Sequence, residues 1–99
     1  MGARGRQLQL TPLAVADLED IWRYTFTQWS SGQANRYHRD LVATMEALAH
    51  GDKIGRACAV RDGYWRYAVG SHVVFYRETD RTLDVIRILH QRMDVERHL

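Results

Sequence analysis

Apolar positions in the first half of the chain recur at intervals of three and four, and in the second half they alternate at two. Ala14, Leu18, Ile21, Trp22, Thr25 and Trp29 form one stripe, the pattern of an amphipathic helix. Thr11-Pro12 opens it, with threonine as N-cap and proline at the first helical position, where its missing N–H costs nothing. Leu10 and Val15 stand at the spacing of a hydrophobic staple. Asp17, Glu19, Asp20 and Arg23 take the rest of the surface, the acids towards the N-terminal end as the helix dipole prefers. Ser30-Ser31-Gly32 breaks this helix, and Ser30 with Gln33 has the spacing of a capping box. Ala34, Tyr37, Leu41, Met45 and Leu48 mark a second helix that ends at His50-Gly51, the glycine serving as C-cap. So short a connection folds the two helices back as an antiparallel hairpin.

Residues 1 to 6 read as a loose basic end, and Gln7 to Leu10 as a short strand. Asp52 to Ala59 is a polar connection, and Val60 to Asp62 reads as a short edge strand. Gly63 to Arg77 then predicts two strands joined at Gly70-Ser71. Glycine at the first central position suits a II′ turn, and a two-residue turn fixes the register. Val69 then opposes His72, Tyr67 opposes Val74 and Trp65 opposes Tyr76, an apolar face that wants a core. Ala68 with Val73, Arg66 with Phe75 and Tyr64 with Arg77 make a mixed face open to a partner. Leu83 to His90 is apolar on both faces apart from Asp84 and Arg87, which places that strand inside the sheet. The tail from Gln91 to Leu99 reads as one helical turn or irregular chain. The order β-α-α-β-β-β predicts an α+β fold, a helical hairpin on one face of a small antiparallel sheet.

Composition narrows the function classes. The 99 residues suit one domain spanning the chain. Net charge is +2, and every basic side chain except Lys53 is arginine, whose planar fork suits carboxylates and phosphates. The single cysteine, Cys58, excludes an internal disulfide and a cysteine-based zinc cage. The histidines at 38, 50, 72, 90 and 98 have no metal-ligand spacing, so neither metal nor cofactor is expected. No apolar run approaches the ~20 residues of a membrane span, which points to a soluble cytoplasmic protein with no membrane partner.

Candidate chemistry is sparse. No phosphate-cradling glycine loop, nucleophile elbow or metalloprotease motif is present. His90, at the end of the last strand, is the one residue placed for acid–base work. With Arg61, Arg66, Arg77 or Arg87 it would supply part of a metal-free ribonuclease site, which needs a base, an acid and cations for the developing charge. The competing reading makes His72 and His90 a cross-strand pair bonded into the sheet. Tyr24, Phe26 and Trp29 are spread around the first helix and cannot all face inwards. With Tyr64, Val73 and Phe75 on the hairpin they offer apolar surface to a protein partner.

Four blocks together are familiar. Ala16-Asp17-Leu18-Glu19-Asp20-Ile21-Trp22, Ile54-Gly55-Arg56, Gly70-Ser71-His72-Val73-Val74-Phe75-Tyr76-Arg77 and Ile88-Leu89-His90-Gln91-Arg92-Met93-Asp94 resemble the ParE toxins of the RelE/ParE superfamily. The resemblance implies a non-enzymatic toxin of a type II toxin–antitoxin system that poisons DNA gyrase. It also implies a tightly bound ParD-like antitoxin, with DNA met only through that antitoxin. On this reading Arg66, Arg77, Arg87, His90 and Arg92 face the target, while Phe26, Trp29, Tyr64, Val73 and Phe75 receive the antitoxin. The RelE-like branch implies the alternative, a ribosome-dependent messenger RNA endonuclease. Trp65, Ala68 and Val73, where relatives carry arginine, suggest a further one: a weakly toxic co-repressor module.

Overall fold

The structure, a computed structural model, describes residues 5–99. Most of the expected loose end, residues 1–4, lies outside the described residues. Arg6 is not loose: its N–H donates to the Ala49 carbonyl, its Nε to the Thr79 carbonyl, and its guanidinium pairs with Glu78 at 3.5 Å.

The elements run β1 (Gln7–Leu10), α1 (Pro12–Gln28), α2 (Ser31–His50), β2 (Arg56–Ala57), β3 (Trp65–Val69), β4 (His72–Glu78), β5 (Thr82–His90) and a one-turn α3 (Val95–His98). The caps are those the sequence predicts. Thr11 Oγ1 accepts from the Ala14 N–H and Ser30 Oγ from the Gln33 N–H, while Gly51 closes α2 at φ +85°. Trp29 and Ser30 are the whole connection between the helices, so α1 and α2 pack as a hairpin.

The five strands lie in the order β1-β5-β4-β3-β2. The hairpin register is the expected one, from Trp65 opposite Tyr76 to Val69 opposite His72, and β5 lies inside the sheet. Two details differ from the expectation. The β1–β5 pair is parallel, which makes the sheet mixed: the chain leaves β1 through both helices and returns on the far side. The short edge strand is Arg56–Ala57, paired with Trp65 and Arg66, whereas residues 60–62 are bends and turn.

The main core lies between the helices and one sheet face, with Leu41, Met45, Leu48, Val74, Tyr76, Leu83, Val85 and Ile88 buried together. Trp22 is only half-buried; it stacks on Phe26 at 5.2 Å and its Nε1–H donates to Asn35 Oδ1. A second cluster forms on the other face from Val73, Phe75, Leu89 and Cys58. Val95 and Leu99 of the tail pack over it with Tyr64. The mixed face is therefore not bare: Phe75 is 0% and Val73 5% exposed. Trp65, packed on the main core, and Val73 both serve packing, whereas Ala68 is exposed.

Candidate functional site

The sheet divides the candidate residues between its faces. On the helix side, Val69, His72 and His90 are successive cross-strand partners at the hairpin end. The two imidazoles meet edge to face, with ring centroids 5.3 Å apart. Tyr37 of α2 reaches down to this end. Its hydroxyl lies 3.0 Å from the Val69 carbonyl, 3.2 Å from the Ser71 N–H and 2.7 Å from His72 Nδ1. Gly70 makes room for it: φ is +55°, and a Cβ there would stand 2.8 Å from the Tyr37 hydroxyl. Burial, and to a lesser degree the neighbouring His90, push the His72 imidazole down to about 4, against an upward pull from Asp17. His72 is thus neutral at physiological pH. His90 is held by its own tail, the Arg92 N–H donating to its Nδ1 at 3.1 Å.

Above these rings the helix junction leaves a cleft of about 360 Å³, with Tyr24, Trp29, Gln33 and Tyr37 as its other walls. Trp29 is 74% exposed at its rim, and Tyr24 and Phe26 are also exposed. Helical periodicity put Trp29 on the buried stripe, but it falls one residue past the end of α1 and turns outwards.

The arginines lie elsewhere. Arg66 sits over the Phe75 ring at 5.7 Å on the outer face, and Arg61 and Arg77 sit over Tyr64 at 5.0 and 5.4 Å. Arg61 also donates to the Leu99 backbone oxygen. Arg87 wraps the edge of β5. Its Nε and Nη2 donate to the two Asp17 oxygens at 2.8 and 2.9 Å, and Nη1 donates to the His98 carbonyl. The Asp17 hydrogen bond holds the Arg87 guanidinium even further above neutrality than usual. Arg92 is exposed beside His90.

The expected ribonuclease set is thus not assembled: His90 faces the helices, Arg61, Arg66 and Arg77 face away, and Arg87 is occupied. Two participants escaped the sequence reading. Tyr37 looked like one more stripe residue, and only the hairpin turn beneath it reveals its hydroxyl's role. Arg56 matters through its place opposite Arg66, which requires knowing where β2 begins. Among the described residues no group of three or more histidine, cysteine or acidic side chains could hold a metal ion. No described helix is long and apolar enough to cross a membrane.

Comparison with known sequences shows one family. Residues 8–95 match the family described as the ParE toxin of type II toxin–antitoxin systems, parDE. Toxin ParE1 of Mycobacterium tuberculosis is 48% identical over 92 residues, covering 91% of this chain and 94% of its own. Toxin ParE1 of Caulobacter vibrioides is 46% identical over 92 residues, covering 92% and 95%. Among solved structures, the chromosomal ParDE toxin–antitoxin system from P. aeruginosa superposes with a TM-score of 0.77 at 19% identity. That match covers 87% of this chain and 96% of the other, and it shows a shared fold.

Proposed function

The chain belongs to the ParE toxin family of type II toxin–antitoxin systems, and from that premise we propose that it is a non-enzymatic poison of DNA gyrase restrained by a ParD-like antitoxin. The observation that supports this reading over transcript cleavage is the separation of His90 from Arg61, Arg66 and Arg77 by the thickness of the sheet. Metal-free cleavage of a phosphodiester needs the acid, the base and the cations around one phosphate. Here the histidines open onto a cleft whose walls carry no cation or carboxylate, and the Arg61, Arg66 and Arg77 guanidiniums lie over rings of the opposite face. The arrangement suits binding rather than turnover.

The antitoxin surface in this proposal is the set of exposed aromatics near the helix junction: Trp29 and Tyr24 at the cleft rim, and Phe26 stacked on Trp22. An apolar helix face seats on such a rim. The outer edge of β3 beyond Arg66, where β2 has ended, is left for an added strand. Action on gyrase places the toxin in the cytoplasm.

Induced expression without antitoxin tests the proposal. The expected outcome is gyrase–DNA cleavage complexes and DNA-damage signalling, with messenger RNA intact. Ribosome-dependent transcript cleavage by the purified protein would overturn it. His90→Ala separates the readings further: a nuclease using His90 as acid or base loses roughly 10²–10⁴-fold in rate, whereas the poison retains its inhibition of supercoiling.

A further inference from the structure

Arg56 and Arg66 are Cα partners across β2 and β3, so their side chains leave the sheet on the same face. Like charges directly opposite one another destabilise a strand pair. Neither is relieved by an ion pair: those among the described residues are Arg6–Glu78, Arg23–Asp20 and Arg87–Asp17. Arg56 and Arg66 instead line a shallow cavity of about 260 Å³ beside the exposed Ile54. Arg77 of the next strand adds a third guanidinium, on the diagonal from Arg66. Such diagonal neighbours stand about 7–8 Å apart, a span that successive backbone phosphates match. Two acids lie near. Asp62 follows Arg61 in the chain, and Asp84 opposes Arg77 in register, yet neither makes an ion pair, and Asp84 Oδ1 is buried without a hydrogen-bond partner.

We propose that Arg56, Arg66 and Arg77 form a binding surface for the phosphate backbone of duplex DNA. A fold that keeps two arginines face to face with no carboxylate between them, Arg66 resting only on the Phe75 ring, bears a cost that a polyanion removes. The use of the neighbouring rings selects a duplex. Single strands are gripped by stacking bases on open aromatic side chains, but here Phe75 is buried and Tyr64 carries two guanidiniums. What remains exposed is charge in planar forks, a geometry that matches phosphate oxygens. The surface departs from the expectation that DNA is met only through an antitoxin. It does not depend on gyrase being the target, since it is read directly from binding to free DNA.

Fluorescence anisotropy of a short labelled DNA duplex with the purified chain provides the test. Three phosphate contacts make affinity fall about 40-fold between roughly 50 and 200 mM salt. In an Arg56→Gln/Arg66→Gln variant the fall shrinks to about 4-fold, while Arg23→Gln on α1 leaves it unchanged. Arg56→Gln alone leaves the thermal midpoint the same or higher, because it relieves repulsion; a purely structural role would lower it. Salt-independent binding, or an undiminished salt dependence in the double variant, would overturn the proposal. So would single-stranded RNA, or an acidic peptide of matched charge, binding as tightly as the duplex.

Discussion

The Tyr37 hydroxyl has one hydrogen and two lone pairs, and three partners surround it. Ser71 offers only an N–H, and Val69 only a carbonyl oxygen. The arrangement that fills all three contacts sends the single hydrogen to Val69 and has His72 Nδ1 carry the proton across the 2.7 Å contact. His90 is fixed oppositely, since its Nδ1 accepts from the Arg92 N–H and the proton sits on Nε2. The expected result is one histidine of each tautomer at neutral pH, read from the ring ¹⁵N shifts of the labelled protein. Acid then acts on His72 with a definite sign. Its folded value of about 4 lies below the ordinary ~6.5, so between these limits the unfolded chain binds the proton and the folded one does not. Stability is lost as pH falls from about 6.5 towards 4. Thermal melts across that window should steepen in the wild type and flatten in His72→Gln. An equal slope in both would place the acid sensitivity elsewhere.

At the scale of elements, β5 poses the problem that organises the fold. Its edge is paired with β1 only as far as Val85, because Pro12 turns the chain into α1 and has no N–H to continue the ladder. The remaining edge is satisfied by side chains: Thr11 Oγ1 donates to the Ile86 carbonyl, and Asp17 Oδ2 accepts from the Ile88 N–H at 2.9 Å. Asp17 carries Arg87 as well, so one carboxylate serves a strand edge and a half-buried guanidinium. Asp17→Ala should cost roughly 3 kcal/mol, because it orphans both, whereas Asp20→Ala, in an exposed pair with Arg23, should cost less than about 1 kcal/mol. Urea denaturation of the two variants measures the difference. The helices and the hairpin were legible because their signals are local: caps, a glycine turn and a period that holds for several residues. The parallel direction of β1 was not, since a four-residue alternating strand reads the same either way. Nor was β2, whose two residues carry no period. Asp17 looked like ordinary dipole-favoured surface charge, because its partner lies 70 residues away.

For the molecule as a whole, the decisive feature is that the sheet has a core on each face. The outer one is small and is closed by the chain's own tail, with Val95 and Leu99 over Phe75 and Leu89, and Arg61 and Arg87 holding the backbone oxygens of Leu99 and His98. Two widely spaced apolar residues in a polar tail gave no periodic signal, which is why the mixed hairpin face looked open in the sequence. Once it is closed, the expected antitoxin contacts separate into two kinds. Trp29 and Phe26 stand exposed at the helix junction and are free to anchor a partner. Phe75, at 0% exposure, is first of all a support for the sheet and tail. Phe75→Ala should therefore destabilise the fold by about 3–5 kcal/mol, and any loss of antitoxin binding should follow that unfolding. Trp29→Ala should leave the thermal midpoint nearly unchanged while weakening antitoxin binding by about 2 kcal/mol or more, as truncation of an aromatic anchor does. Arg66→Ala should weaken it less, since a cation on the far face of the sheet does not meet the helix-junction rim. Titration calorimetry with the cognate antitoxin, beside thermal melts of all three variants, checks the ordering. If Arg66→Ala lost as much affinity as Trp29→Ala with its fold intact, the antitoxin would be gripping the outer face instead. It would then compete there for the arginines that the duplex is proposed to occupy.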